Sequence, residues 1–182
     1  FSGSPALAPL LSGLTGHCLA VARLAEAIAG SMEVGEPVAK TAHCAAMLSR
    51  VGVLVLLDAY PDTYGEVLAA VGPDRPLFLA EEQAFGASHA QIGAYLLGLW
   101  GFSPQVVEAV AFASAPFLCP SHDNDVLTAL HAAIGLGPPL AGILPGGGAA
   151  RDGLDLPYLA EIRRDGLVSR WRRLAESFSG EV

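Results

Sequence analysis

The chain has 182 residues, 52% of them hydrophobic, which is enough for one domain, or a domain with an appendage, around a sizeable core. The net charge is −8, and residues 1–150 carry four Lys or Arg against twelve Asp or Glu, which argues against a surface that wraps nucleic acid. Aromatic residues are only 7% while Ala, Leu, Gly and Val abound, favouring closely packed helices over a sandwich of short aromatic strands. An all-α domain is expected.

Residues 15–29 place Leu19, Val21, Ala22, Leu24, Ala25 and Ile28 at helical spacing and leave Arg23 and Glu26 for solvent. Pro37 suits a first helical turn, and from there through Met47 and Leu48 into residues 53–57 the sequence is apolar almost all round, so residues 37–59 read as one central, buried helix. Its longest uninterrupted apolar run, residues 51–57, ends at Asp58, so no membrane span is expected. Pro61 ends that helix; residues 62–70 form a short one closed by Gly72-Pro73, and residues 76–85 the next.

Ser88-His89-Ala90-Gln91 is a capping box, and it opens a helix over residues 89–100 whose packing face is read as Ile92, Leu96, Leu99 and Trp100. Ser103-Pro104 combines a cap with proline at the first helical position and sends Val106, Val107, Val110 and Ala111 inward until Pro116. Residues 123–136 form a further helix capped by Asp123 or Asn124. Gly and Pro then mark a linker over residues 139–153, which separates a core over 1–138 from a helical extension over 154–182. In that extension Asp155-Leu156-Pro157 caps a short helix and residues 165–178 form the last.

Three cysteines, Cys18, Cys44 and Cys119, show no C-x-x-C spacing, so neither a disulfide framework nor a zinc knuckle is indicated and a reducing cytoplasm fits. The chain opens at Phe1 without a charged n-region, which reads as part of a longer protein and not as a signal peptide. The pairs His17-Cys18 and His43-Cys44 point about a hundred degrees apart on a helix, so each pair supplies two ligands to one ion poorly. Gly146-Gly147-Gly148 lacks the following Gly-Lys-Ser/Thr of a phosphate loop, and Ser12, Ser49 and Ser114 lack a nucleophile elbow. Glu81-Glu82 diverge in direction and read as a solvated face with one partner-facing acid rather than an acid/base pair, and His131 as a satisfied core residue. Arg163, Arg164, Arg170, Arg172 and Arg173 offer a candidate partner surface in the tail, although a solvated, ion-paired helix face is the simpler and favoured account of them.

Three stretches carry a resemblance. "GHCLAVARLAEAIA", "AAMLSRVGVLVLL" and "EEQAFGASHAQIGAYLLGLWGFSPQVVEAV" resemble, in that order, the Trp-x-His-Ser helix, the Leu-Leu-His-Asp-Ile-Gly helix and the most distinctive stretch of the HDOD domain, the HD-related output domain of bacterial signalling proteins. Glu82, Phe85, Gly86, His89, Ala90, Gly93, Ala94, Leu96, Leu97, Trp100 and Gly101 carry the third match. The tail "LDLPYLAEIRRDGLVSRWRRLA" looks like an extension found on some response regulators, so the resemblance spans roughly residues 15–178.

The resemblance implies an orthogonal helical bundle, and its departures carry a functional expectation. Ser49 and Arg50 stand where HD phosphohydrolases carry the metal-binding His-Asp, and Ala113-Ser114 stand where related enzymes carry His-His before a proline. A hydroxyl is a poor metal ligand and a guanidinium repels a cation, so His17 and His89 are left as isolated donors. The expectation is a non-catalytic signalling module with no metal or other cofactor, no nucleic acid and no membrane. Its partners would be other signalling domains, a receiver or a cyclic-dinucleotide domain, with a homodimer as a further assembly. The alternative is a divergent phosphohydrolase or nucleotide-binding domain in which Arg50 holds a phosphate. Against it stands a buried ion pair of Arg50 with Asp58 or another carboxylate.

Overall fold

The structure is a computed structural model that describes residues 7–72, 75–121, 123–139 and 153–179. Among these there are ten α-helices, two short 3-10 turns and no strand; a single bridge joins Gly72 to Arg75. The helices are α1 (Leu7–Ser31), α2 (Glu36–Leu48), α3 (Val51–Ala59), α4 (Pro61–Ala69) and α5 (Leu77–Phe85). They continue as α6 (His89–Leu99), α7 (Pro104–Phe112), α8 (Asp125–Leu136), α9 (Leu156–Glu161) and α10 (Val168–Ser179). The all-α expectation holds.

α1 begins well before residue 15 because the apolar period extends back through Leu10, Leu11 and Leu14, the last of which is buried. Its most extensive partner is α2. The two can approach closely because small side chains meet there: Ala22, Ala25 and Ala29 of α1 and Ala39, Ala42, Ala45 and Ala46 of α2 are all buried in one cluster. α8 lies against both, α7 packs on α2 and α8, and α6 bridges α7 and α3. A second, smaller cluster joins Leu14 to Val53, Leu56 and Leu57 of α3, Tyr64, Val67 and Leu68 of α4, and Ala80 of α5.

The single helix expected over residues 37–59 is broken in two. Ser49 ends α2, its hydroxyl and its amide both donating to the Ala46 carbonyl at 2.8 and 3.3 Å. Arg50 then adopts φ −107° and ψ 11°, the bridge region, and its carbonyl accepts the first bonds of α3. Apolar periodicity does not register this break, because both halves are apolar. Taken end to end, Glu36–Ala59 does reach membrane-spanning length and hydropathy, contrary to expectation, yet half of it is buried within the protein, as a core element's would be.

Caps follow the sequence closely. Ser88 and Gln91 form the reciprocal capping box, with Ser88 N donating to Gln91 Oε1 at 2.9 Å. Asn124 rather than Asp123 caps α8, and Asp155 caps α9 by accepting from Tyr158 N at 3.0 Å. Ser103 occupies the N-cap position of α7 without a side-chain bond. Pro61 opens α4 instead of only ending its predecessor.

Two faces differ from expectation. α6 buries its small residues Ala90, Gly93 and Ala94 together with His89 and Leu97, so Leu99 and Trp100 stand out in solvent, Trp100 at 59% exposure. The helix rotates this way because α3 comes so near. A Cβ added to Gly52 would lie 1.9 Å from the His89 carbonyl oxygen, and one added to Gly93 would press on Val51 at 3.1 Å. The tail, read from the sequence as an extension set apart from the core, supplies Tyr158, Leu159, Val168, Trp171 and Ala175 to the main cluster. Trp171 is fully buried and donates from Nε1 to Ser31 Oγ at 3.0 Å, at the C-terminal end of α1. Gly153 N donates to Gly135 O at 3.2 Å, which ties the start of the tail to α8; Gly146-Gly147-Gly148 lie outside the described residues.

The two tryptophans should therefore separate cleanly in urea melts. Trp171→Ala is expected to lower stability by about 3–5 kcal/mol, the cost of truncating a buried aromatic, and Trp100→Ala by less than about 1 kcal/mol. Equal shifts of the two midpoints would contradict the burial described.

Candidate functional site

The break between α2 and α3 aims Arg50 inward. Its guanidinium is buried, at 8% exposure, and Nη1 donates to His89 Nε2 at 2.6 Å. Because that ring nitrogen must accept, the proton of a neutral His89 sits on Nδ1, which donates to Glu81 Oε2 at 2.6 Å. The same carboxylate oxygen accepts from the His89 amide at 2.9 Å, and the Tyr64 hydroxyl donates to Glu81 Oε1 at 2.6 Å. A guanidinium and a carboxylate are thus joined through an imidazole. Glu81 and Tyr64 have no exposed surface and His89 only 2%.

Each member arrives by a local cause. Glu81 is on α5, and Gly86, in the left-handed region at φ 76°, ends that helix and reverses the chain. The capping box then sets His89 at the first position of α6, with its amide directed back at Glu81. Tyr64 comes from α4, stacked obliquely near Phe85. His17 and Cys18, from α1, complete the surroundings of Arg50.

The electrostatics follow from burial. Burial lowers the His89 pKa and the Arg50 charge adds to this, outweighing the hydrogen bond to Glu81. Burial alone would raise Glu81, but the bond and charge of His89, the Tyr64 hydroxyl and the His89 amide together hold its carboxyl below the usual range. Burial also pushes the Tyr64 phenol and the Cys18 thiol up. His17 is lowered to about 4 by burial and then by Arg50, against a hydrogen bond to the Pro138 backbone. Among the described residues, His17 Nδ1 and Arg50 Nε are buried without a hydrogen-bond partner.

Of the residues singled out from sequence, His17, Arg50 and His89 come together. Ser49 is adjacent, its hydroxyl committed to Ala46. Ala113 is at the other end of α7, where its carbonyl accepts from His131 Nδ1 at 2.8 Å, and Ser114 beside it is exposed. His131 is indeed satisfied: its Nε2 also accepts from the Asp155 amide at 2.9 Å. The carboxylate that balances Arg50 is Glu81, not Asp58. Reading Glu81 as part of a solvated face overlooked that Leu77, Glu81 and Phe85 recur at four-residue steps, so Glu81 falls on the helix's apolar stripe. Tyr64 carried no signal beyond being an aromatic in a short helix. His43 pairs with Glu26 at 2.8 Å on the surface, and no group of three His, Cys, Asp or Glu suited to a metal occurs among the described residues.

In the tail, Arg164 pairs with Asp125 at 2.9 Å, and Arg170 Nη1 donates to the Ser31 carbonyl at 3.2 Å, where a cation complements the C-terminus of α1. Arg163, Arg172 and Arg173 are exposed.

Stability should fall with acid. His17, His89 and His131 all titrate below their ordinary value of about 6.5, so between that pH and their folded values the unfolded chain binds protons that the folded chain does not. The stabilisation is complete above about pH 6.5 and shrinks as pH falls. Glu81, depressed in the fold, adds a loss of the same sign below the ordinary carboxylate range. His17 alone accounts for about 2 kcal/mol between pH 7.5 and pH 5. His17→Gln should flatten the pH dependence of the urea midpoint by that amount; a variant whose profile runs parallel to the parent's would contradict it.

The bundle has known counterparts. It aligns with a protein from Shewanella amazonensis SB2B, provisionally described as a phosphohydrolase, with a TM-score of 0.62 and 21% identity over 91% of this chain and 58% of that one. It also aligns with an HDOD domain protein of unknown function from Geobacter sulfurreducens, with a TM-score of 0.50 and 20% identity over 92% of this chain and 62% of the other. The chain therefore spans about three fifths of the length of these structures, and the likeness concerns their fold. No curated protein matches. The HDOD domain family matches residues 1–116, which starts earlier than the resemblance over residues 15–178 and stops before α8 and the tail. With that match covering well over half of its length, the chain belongs to the HDOD domain family.

Proposed function

We propose that the chain is a non-catalytic signal-transduction module that works through helix packing and contacts with other domains. The observation that carries this reading is the Arg50–His89 bond. His89, which a hydrolytic centre could use as a ligand, spends its Nε2 lone pair on a guanidinium, and its Nδ1 proton on Glu81. A fixed cation within hydrogen-bonding distance of the donor works against the approach of a divalent ion, and its neutralisation by Glu81 through the imidazole leaves no net negative charge to attract one. The Ser49 hydroxyl is likewise engaged with Ala46.

On this reading the cluster is a structural lock joining α3, α5 and α6, and the signalling role belongs to the surfaces those helices hold in place. A bacterial response regulator, or a cyclic di-GMP-linked protein in the cytoplasm, is the setting that the family implies. Receiver or cyclic-dinucleotide domains would then be the natural partners. The exposed Arg163, Arg172 and Arg173 are candidates for meeting an acidic partner surface, while Arg164 and Arg170 contribute more to holding the tail.

The purified chain should retain no stoichiometric Mn, Fe, Zn or Mg and should leave cyclic di-GMP and nucleotide phosphates intact. Elemental analysis and product chromatography test this together. Close to one transition metal per chain, lost on substituting His17 or His89, would overturn it.

A further inference from the structure

A cavity of about 180 Å³ lies between α1 and the α2–α3 junction, with Arg50 among its lining residues. Its walls are Leu11, Leu14, Met47, Leu48, Val51 and Leu54, and the polar groups on its lining are Thr15, Cys18 and Arg50. The Thr15 hydroxyl is already given to the Leu11 carbonyl at 2.7 Å, and the Cys18 thiol stays protonated because burial raises it. Arg50 is thus the one charged residue on a predominantly apolar lining. It is more than nine-tenths buried, its guanidinium has five N–H donors, and the partner of its Nη1 is a neutral imidazole, so any anion in the cavity would have to accept at the Nη end, the Nε being sealed from solvent. A buried cation in this condition gains strongly from an anion that accepts from the free donors. Thr15 and Met47, both solvent-exposed, form a rim through which a ligand can enter.

We infer that this cavity is a binding site for a short aliphatic monocarboxylate, its carboxylate on Arg50 and its tail along Leu14, Leu48 and Leu54. The apolar walls select the tail and argue against a nucleotide or free phosphate, whose remaining oxygens would be buried without donors. The volume sets the length. At roughly 30 Å³ for each liquid-sized water, the cavity takes about six to eight non-hydrogen atoms, the size of pentanoate or hexanoate. Occupancy would tie α1 to the α2–α3 break. The site stands independently of the signalling role proposed above, and would give such a module a small-molecule input.

Calorimetric titration of the full chain with sodium hexanoate, 1-hexanol and inorganic phosphate tests the assignment. Hexanoate should bind one to one, at least tenfold more tightly than either of the others. Hexanol binding as tightly would overturn the role of the carboxylate, and phosphate binding as tightly that of the tail. Arg50→Gln and, at the rim, Thr15→Phe should each weaken hexanoate at least tenfold; Thr15→Phe leaves the buried network untouched and keeps the test available if Arg50→Gln does not fold. Saturating hexanoate should also shift the Arg50 Nη–H resonance in a nitrogen-15 spectrum. An unmoved resonance, or undiminished binding in Thr15→Phe, would sink the proposal.

Discussion

The bond between Arg50 and His89 is the constraint around which this bundle is arranged. A guanidinium cannot shed its charge in a protein interior, so once Arg50 faces inward the fold must supply countercharge and acceptors. His89 does the second by presenting Nε2 at 2.6 Å, and Glu81 does the first from the far side of the same ring. Imidazole is suited to this because it accepts on one nitrogen while donating on the other, so a single neutral ring bonds to both a cation and an anion. Protonating His89 would turn the acceptor into a donor facing a guanidinium. Burial and the nearby positive charge both hold the ring neutral, so the arrangement reinforces itself.

That polar chain can close only if the helices bearing it approach unusually near. α3 and α6 meet at Gly52 and Gly93, where a methyl group at Gly52 would overlap the His89 carbonyl. The glycine thus does for the backbone what the broken α2–α3 junction does for the side chain: one brings His89 close, the other turns Arg50 toward it. Small residues recur for the same reason along the α1–α2 contact, where alanines of both helices are buried in one cluster. The low aromatic content fits this design, in which proximity of backbones replaces large interlocking side chains.

Much of this was legible in the sequence, and what was not has identifiable causes. Helix existence followed from periodicity, and the caps at Ser88, Asn124 and Asp155 followed from short polar residues ahead of apolar runs. Fold class and family were legible from motif order. The break at Ser49-Arg50 was not, because uniformly apolar flanks give no phase from which a change of helix axis can be read. The orientation of α6 was misjudged by assuming that large residues point inward; there the buried side is the one with the smallest residues, since the neighbouring backbone occupies the space that Leu99 and Trp100 would need. Trp171, by contrast, lies in the extension that the Gly- and Pro-rich linker sets apart from the core, yet it is buried in the main cluster. Of the site, His17, Arg50 and His89 were visible through their places in recognised motifs. Glu81 and Tyr64 were not, because a residue's membership of a polar network depends on which helices the turns bring together.

The chain of bonds from Arg50 to Glu81 depends on the protonation of one ring. Nitrogen-15 NMR of selectively labelled histidine, with His89 assigned by substitution, reports the tautomer directly. The Arg50–His89–Glu81 chain requires that at pH 7 His89 be neutral, with its proton on Nδ1 and Nε2 acting as a hydrogen-bond acceptor, and that its titration midpoint lie below the ordinary histidine value. A His89 found with its proton on Nε2, or charged at pH 7, would contradict it, because neither form can accept from Arg50.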